Sequence, residues 1–519
     1  MPTQHRFEDQ LSLAHTGRAQ HDIGHKNVNQ IVPGRVFTPA AVANLDDKPV
    51  RTPDSAASSP VTSPNLVLAI VCVGMVLANL DLFIVNVALP NIGQDFENAT
   101  LEDLSWILNG YAIVYAALLV FFGRLAERHR RDQSFLLGVA LFTGASAACA
   151  MANSVEVLVI FRLAQAAGAA LMTPTSLGLL LAVFPPERRG SAVRTWTAIG
   201  GLGAALGPLV GGVLVTVDWR LIFLVNVPIG LAALLVGWWK LPQVPGHKAP
   251  KPSAWDAALV TGGIGALIFA IVKVNDWGWS SLGISVAVAA AIVLLVLFVW
   301  RCFRSPIPLV DPALFRIRQF TGASLVMVPY SAAFGAMLLS VALWEQTAWG
   351  WSALMTGLAI APGPLLVPIT SLLFSGRLIS RFGAAPVIAA GIFSFATGLV
   401  WYALAIGSEP NAMVIVIGMI PTGIGVGLTF PTLMGVSGGA LPPSSFATGS
   451  GAINMIRQVS LAVGVAIFVA IVGSPASPAE RVAAFHQGWW IFVAIVVLGL
   501  FPTFLLIRPK RLALRSSKA

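Results

Sequence analysis

The chain has 519 residues, of which 56% are hydrophobic and 10% are charged, and its mean hydropathy is +0.81. Soluble domains carry about 25% charged residues, so this composition excludes a soluble protein with a single anchor and predicts an all-α polytopic membrane protein. The net charge of +10 would fit nucleic acid binding in a soluble chain. Here the placement of the charges along the chain explains it better.

Fourteen apolar windows are each long enough to cross a bilayer, which takes about 20 residues. They cover residues 66–90, 104–122, 134–153, 156–182, 191–216, 221–240, 255–273, 281–300, 320–344, 354–375, 384–406, 411–433, 447–472 and 487–507. Twenty Lys and Arg residues fall in every second connection and in the C-terminal tail, whereas three fall on the other side. This asymmetry predicts that both termini are cytoplasmic, and it makes binding to nucleic acid unexpected.

The spans fall into three groups, which predict the domain organisation. The predicted units are a disordered cytoplasmic tail at 1–64, a six-helix half at 65–240, a Pro-rich cytoplasmic linker at 241–254, two inserted helices at 255–300, a basic cytoplasmic linker at 301–319, a second six-helix half at 320–507 and a basic cytoplasmic tail at 508–519. A repeated six-helix unit indicates a transporter whose substrate path runs between the halves.

Asp81 is a lone carboxylate in the first span. A charged side chain at the bilayer centre costs about 2.5–3.5 kcal/mol or more, so Asp81 is predicted to face protein or water and to exchange a proton. Arg162 and Gln165 lie in the fourth span. Because arginine keeps its charge, Arg162 is predicted either to pair with Asp81 or to extend to the membrane surface. Arg457 and Gln458 pose the same question in the thirteenth span.

The fifth span contains a row of glycines at Gly200, Gly203, Gly207 and Gly211. At about 100° per residue these positions share one helix face, where the absence of side chains lets a neighbouring backbone approach closely. Pro208 removes one backbone donor within the row and favours a bend. The row is therefore predicted to be either a simple packing surface or a seam that also serves as a pivot.

Glu345 and Gln346 lie at the outer end of the ninth span. Glu345 is predicted to be either an exposed helix-end residue or a second acid that faces the substrate path. The sequence contains no ATP-binding loop, no arrangement of a nucleophile with His and Asp, and no cluster with metal-ligand spacing. An enzyme is therefore not predicted, and no metal or cofactor is expected beside a proton gradient as the energy source.

Five segments give the chain its family resemblance, and four of them lie in or directly after the spans. The first span reads LDLFIVNVALP at 80–90, the fourth contains RLAQAAG at 162–168, the fifth contains GAALGPLVGG at 203–212, and WRLIFLVNVPIG follows at 219–230. Over about residues 66–510 the chain resembles the fourteen-helix drug:proton antiporter family of the major facilitator superfamily. The fifth-span motif matches the family signature fully, and its seam residues are Gly203, Gly207, Pro208, Gly211 and Gly212.

The connection between the second and third spans also resembles the family signature. It reads GRLAERHRRD at 123–132, with Glu127 in place of the family's Asp and Arg130 in place of a Gly. The resemblance implies a cytoplasmic gating loop that latches the two halves. Its residues are Gly123, Arg124, Glu127, Arg128 and Arg131. The second-half copy has Ser380 where an acid could stand, so the latch is expected to be one-sided.

The resemblance implies a major facilitator fold of two six-helix halves plus two inserted helices. It implies proton-coupled export of hydrophobic or amphiphilic compounds from the cytoplasm by alternating access, with Asp81 and Arg162 coupling the proton. The alternative is a dedicated exporter of one endogenous metabolite, such as an antibiotic, a siderophore or a lipid. Some family members that prefer dications carry an acid in the tenth span, and this chain has none there. Neutral, monocationic or amphiphilic substrates are therefore favoured.

Further expectations concern the substrate path and the partners. The predicted path residues are Asn86, Gln165, Glu345, Gln346, Arg457 and Gln458. The protein is expected to be a monomer in the inner membrane of a bacterium. Its expected partners are the small-molecule substrate, protons and the lipid bilayer, and a periplasmic adaptor protein is left open.

Overall fold

The computed structural model describes residues 63–96, 99–246, 251–441, 446–473, 475 and 477–507. The predicted basic tail at 508–519 lies outside these residues, as does the predicted N-terminal tail apart from its last two residues. In the described part all regular structure is helical. Fourteen helices there are long and apolar enough to cross a membrane, so the predicted all-α polytopic fold with fourteen spans is confirmed.

The first half contains seven helices that build six spans. They are α1 (Pro64–Asp95), α2 (Leu101–Arg128), α3 (Arg131–Ala150), α4 (Val155–Val183), α5 (Pro186–Val215), α6 (Leu221–Leu224) and α7 (Asn226–Lys240). Several begin with a side-chain cap. Thr100 and Asp103 form a reciprocal capping box at the start of α2, and Ser154 accepts a hydrogen bond from Val157 at the start of α4. These caps satisfy backbone donors that have no partner within the helix.

The inserted pair and the second half complete the fold. Their helices are α8 (Ala254–Trp277), α9 (Leu282–Arg304), a 3₁₀ turn (Pro312–Arg316), α10 (Arg318–Thr347), α11 (Ala353–Ile360), α12 (Pro362–Ile369), a π-helical segment (Thr370–Ser375), α13 (Gly376–Phe382), α14 (Ala384–Ala405), α15 (Ala412–Gly439), α16 (Phe446–Val472), α17 (Pro478–Leu498) and α18 (Leu500–Leu506). The inserted helices pack on each other, and α8 also contacts α2 and α16. Helix α8 thereby contacts one helix of each predicted half.

Three spans are broken by a turn, and a proline accompanies each of these three turns. The helices end at Leu224, Ile360 and Leu498, and a proline stands four residues after each of these positions. A proline has no N–H group for the carbonyl four residues earlier, and its ring also crowds that carbonyl. The last span also begins at Pro478, which is earlier than the predicted 487, because Ser477 caps its first turn.

The two ends of the bundle are packed differently. We call the end at which α1 begins and α2 ends the basic face, since it carries Arg124, Arg128, Arg130 and Arg131; the other end is the opposite face. The second part of α1, from Leu80 to Ile92, belongs to an apolar cluster that includes residues of both halves. The first part, from Val67 to Leu82, belongs to a cluster built from the first half alone. Helix α1 therefore meets the second half near the opposite face, while α2 also meets α16 nearer the basic face, where a β-carbon at Gly451 would lie 3.4 Å from Val120.

Candidate functional site: a buried ion pair and the seam between the halves

A network of polar side chains lies inside the first half. Arg162 donates a hydrogen bond through Nη1 to Oδ2 of Asp81, and both side chains are fully buried. The second carboxylate oxygen, Oδ1, accepts hydrogen bonds from Gln165 Nε2 at 2.8 Å and from Asn226 Nδ2 at 3.2 Å. The sequence left open whether Arg162 pairs with Asp81 or extends to the membrane surface, and the structure shows the pair.

The rest of the network holds Arg162 in place. Its Nε donates to the carbonyl of Ile107 at 3.2 Å, and its Nη1 also donates to Gln165 Oε1 at 2.7 Å. The Tyr111 ring centroid lies 4.1 Å from the guanidinium carbon, which is within the range of a cation–π contact. Gln165 in turn donates to Ser146 Oγ at 2.7 Å. Helices α1, α2, α3, α4 and α7 therefore all meet at one buried charge pair.

In this arrangement the protonation of Asp81 would affect its contact with Arg162. The ionic partner and the two further donors favour the charged form of this carboxylate, because they replace part of the hydration that burial removes. Protonation of Asp81 would remove the charge that holds Arg162, and Arg162 remains charged in either case. The network can therefore change its contacts when one proton binds or leaves.

Removing the arginine of the buried pair should destabilise the fold more than removing the arginine of an exposed pair. In Arg162→Met the Asp81 carboxylate stays buried without its cation, and breaking a buried pair in this way costs about 3–5 kcal/mol. Arg220 is the matched control, because its pair with Asp95 at 2.8 Å is about one-third to one-half exposed and Arg220→Met should cost about 0–1 kcal/mol. Thermal unfolding in detergent measures both, and equal stability of the two variants would contradict this role of Arg162.

Asn226 and Tyr111 are members of the network that the sequence did not single out. Asn226 stands within the motif WRLIFLVNVPIG, and a polar side chain in an apolar span was a signal for it. Tyr111 had no such signal, because a tyrosine on a mixed helix face is ordinary core. The proposed path residue Asn86 is separate from the network: its side-chain amide donates to the backbone of Leu82 and Phe83 in its own helix.

The glycine row of α5 packs on α1 as expected. A β-carbon added at Gly203 would lie 3.0 Å from the backbone of Val76, one at Gly207 2.8 Å from Phe83, and one at Gly211 2.8 Å from Ile84. Glycine at these positions thus permits close backbone packing within the first half. The role of this row as a pivot stays a prediction.

The next glycine in the motif faces the other half of the molecule. A β-carbon at Gly212 would lie 2.6 Å from the carbonyl oxygen of Ala353 in α11, and one at Gly357 would lie 2.4 Å from the carbonyl oxygen of Pro208. Helix α5 is continuous through Pro208. The motif GAALGPLVGG therefore has two packing partners: α1 within its own half, and α11 across the junction of the halves.

The predicted gating loop is mostly helix, which corrects the sequence interpretation. Gly123, Arg124, Glu127 and Arg128 belong to the last turns of α2, and Arg131 is the first residue of α3. The helix continues because Leu, Ala, Glu and Arg are all good helix formers. Only residues 129 and 130 connect the two helices.

Asp132 is the acid that organises this connection, and the sequence did not single it out. Arg130 donates to Asp132 at 2.6 Å, and this hydrogen bond raises the pKa of the Arg130 guanidinium further above its already high value. Asp132 also accepts a hydrogen bond from the backbone N–H of Val244 at 3.1 Å, while Arg131 donates to the carbonyl of Gly178 at 3.0 Å. The start of α3 is thereby tied to the linker after α7 and to α4.

The remaining predicted path residues lie in the second half. Gln346 donates to the carbonyl of Val87 at 2.8 Å and so connects α10 to α1. Arg457 forms no ion pair with any described residue, and its guanidinium carbon lies 5.9 Å from the Phe430 ring centroid. Gln458 is buried, and its Oε1 makes no hydrogen bond within the part of the chain that the structure describes.

The structure decides between the two environments predicted for Glu345. It is 0% exposed, so the prediction of an exposed helix-end residue is wrong. The reason lies in the packing around it: the apolar cluster that joins the two halves includes Leu343 and Trp344 on α10 and Ala353 on α11.

Comparison with known proteins supports the fold and the family. The model of the Major Facilitator Superfamily matches residues 71–465. The Tetracenomycin C resistance and export protein of Streptomyces glaucescens is 32% identical over 435 residues, which is 82% of this chain and 78% of that protein. The Multidrug resistance protein Stp of Mycobacterium tuberculosis is 33% identical over 404 residues, which is 77% of this chain and 74% of that protein.

Solved structures agree at the level of the fold. The crystal structure of an auto-inhibited POT family peptide transporter superposes with a TM-score of 0.62 at 16% identity, covering 88% of this chain and 99% of that one. The fourteen spans, the motifs and the family match lead to one conclusion: the chain belongs to the major facilitator superfamily, whose members are transporters rather than enzymes.

Proposed function

We propose that the protein is a proton-coupled antiporter that exports hydrophobic or amphiphilic small molecules from the cytoplasm by alternating access. The observation that carries this proposal is the buried network around Asp81 and Arg162. Relatives named as resistance and export proteins support the direction of transport. Asp81 is an acid within the membrane, and its contact with Arg162 can change when Asp81 binds a proton. It therefore supplies a group that can exchange a proton for substrate.

The proposed orientation places the basic face in the cytoplasm of a bacterial inner membrane. The excess of Lys and Arg on this face supports it. In that orientation the described conformation is closed on the outside, because the apolar cluster shared by the two halves surrounds the opposite-face part of α1. Substrate would then reach the protein from the cytoplasm. Later in the transport cycle the basic face would close and the opposite face would open.

Aromatic side chains between the halves fit an apolar substrate. Phe83 of α1 lies 6.1 Å from Phe334 of α10, and Phe334 lies 5.5 Å from Phe430 of α15, measured between ring centroids. Asp81 is already paired with Arg162, so it offers no free negative charge to a dication in this conformation. We therefore favour neutral, monocationic or amphiphilic compounds.

The test is transport by the purified full-length chain in liposomes. Ethidium and a neutral hydrophobic dye serve as probes, and their movement is followed with an imposed pH gradient, with a sodium gradient and with an uncoupler. We expect the pH gradient to drive dye movement against its concentration gradient and the uncoupler to stop it. Movement that is indifferent to the pH gradient would refute proton coupling.

A dedicated exporter of one metabolite is the second candidate. It is favoured by relatives named for single compounds, among them the Probable actinorhodin transporter of Streptomyces coelicolor, which is 30% identical over 461 residues. Resistance and accumulation profiles in an efflux-deficient host distinguish the two functions. Protection against many unrelated compounds supports a multidrug exporter, whereas protection against one compound supports the dedicated exporter.

A further inference from the structure

A second membrane acid, Glu345, is buried in the other half without the partners that Asp81 has. It lies in the last turn of α10, is 0% exposed, and forms no ion pair with any residue that the structure describes. The Thr356 hydroxyl of α11 is close enough to interact with it. Even so, neither carboxylate oxygen makes a hydrogen bond of normal geometry within the described residues.

The charged and titratable groups on the surrounding helices do not compensate Glu345. On the described residues of the elements packed around α10 they are Cys72, Asp81 and Asp95 of α1, Arg316 of the 3₁₀ turn, Tyr402 of α14, Arg457 of α16, and Glu480, Arg481 and His486 of α17. Tyr402 is within electrostatic range of Glu345. Arg481 instead donates to the backbone carbonyl of Thr347 at 3.0 Å, and His486 contacts the carbonyl of Ile406.

The protonation state follows from this environment. An ionised carboxylate that is buried without a cation or hydrogen-bond donors costs several kcal/mol, and such groups take up a proton instead. Glu345 therefore holds a proton in this conformation. Asp81, by contrast, has Arg162, Gln165 and Asn226 around it, so only Asp81 has partners that favour its charged form.

The burial of Glu345 depends on the contact between the halves. The adjacent residue, Gln346, donates to Val87 of the first half at 2.8 Å. Thr356 precedes Gly357, whose α-carbon faces the carbonyl of Pro208 in α5. Separation of α5 from α11, which alternating access requires, would remove the packing that excludes water from Glu345.

We propose that Glu345 is a second proton-binding site, which must take up a proton before the two halves can close at the opposite face. This inference rests on the alternating access in the proposed function but not on the coupling role of Asp81. The closed conformation binds the proton and the open one releases it to water. The titration midpoint of Glu345 is then lower in the open conformation than in the closed one. Above the midpoint of the open conformation, each pH unit shifts the equilibrium between closed and open conformations up to tenfold toward the open one.

The test measures closure of the opposite face as a function of pH. Spin labels are attached at Asn153 and Ser408, which lie in exposed connections of the first and second half on that face. Distances are recorded by pulsed electron paramagnetic resonance for the full-length chain in nanodiscs from pH 5 to pH 8. In the wild type we expect the closed population to fall as the pH rises, with the steepness of one proton.

Variants identify the group that titrates. Glu345→Gln, which resembles the protonated form, should stay closed across the whole range. Glu345→Asp should keep a pH-dependent transition and so shows that the site tolerates substitution. Glu409→Gln, which removes an exposed acid on the same face, should behave as the wild type.

The outcomes separate this inference from the proposed function. A wild-type closed population that does not change with pH, or a Glu345→Gln variant that keeps the wild-type profile, overturns the second site and leaves proton-coupled export standing. A flat profile in Glu345→Gln together with liposome transport that ignores the pH gradient supports the second site and refutes proton-coupled export.

Discussion

Asp81→Asn is expected to abolish dye movement driven by a pH gradient while preserving exchange of dye across liposomes at equal pH. Asparagine can still accept a hydrogen bond from Arg162, as Asp81 does, but it cannot bind and release a proton. The variant should therefore fold, since the proposed cycle passes through a neutral side chain at this position. Gradient-driven transport should fall by about 100-fold or more, comparable with the loss of a proton-transfer group in an enzyme.

The control for this experiment lies in the same helix. Asp95 is the last residue of α1, at the opposite face, and accepts hydrogen bonds from Arg220 at 2.8 Å and from the Trp219 indole at 3.0 Å. Asp95→Asn makes the same chemical change outside the buried network and should keep gradient-driven transport. If Asp81→Asn retained that transport, another group would have to couple the proton.

The second large effect is expected at the junction of the halves. In Gly212→Ala the new methyl group would lie 2.6 Å from the carbonyl oxygen of Ala353, which is backbone and cannot rotate away. Overpacking of this kind costs about 1–3 kcal/mol. In the proposed cycle the two halves separate at this contact, so the cost would fall on the closed conformation and shift the equilibrium about 5- to 150-fold toward opening.

The measurement combines transport with the spin-label pair at Asn153 and Ser408. We expect Gly212→Ala to fold, to show a larger open population at the opposite face and to transport at least about fivefold more slowly, which corresponds to the lower end of the expected cost, about 1 kcal/mol. Gly201→Ala is the matched control, because a β-carbon at Gly201 of the same helix meets nothing within 4 Å. A Gly212→Ala variant with wild-type closure and transport would show that the contact does not limit the cycle.

Glycines on the other face of α5 should behave differently. A β-carbon at Gly207 would press on Phe83 and Ile84 of α1, and both helices belong to the same half. The cost of that substitution falls on folding of the half rather than on the balance between conformations. The motif GAALGPLVGG thus contains glycines that face α1 of the same half and a glycine that faces α11 of the other half, and the spacing of the glycines does not separate them.

Local sequence predicted the features that depend on a single helix. Apolar length gave fourteen spans, because hydrocarbon requires internally hydrogen-bonded segments of about 20 residues. Helical periodicity placed Gly203, Gly207 and Gly211 on one face, and the cost of a lone charge marked Asp81. Loop boundaries were less well predicted: Arg124 and Glu127 lie on α2 rather than in a loop, since good helix formers extend a helix beyond the apolar span.

Contacts between helices decided the members of the buried polar network and the burial of Glu345. Asn226 and Tyr111 join Asp81 and Arg162 because α2, α4 and α7 converge on α1. Glu345 is buried rather than exposed because α11 and other helices pack around this end of α10. By itself, the sequence determined the number of spans, the family and the presence of membrane acids, which follow from the transfer of each residue out of water. Only the tertiary structure decided which acid has an ionic partner, because burial and charge compensation depend on residues distant in the chain.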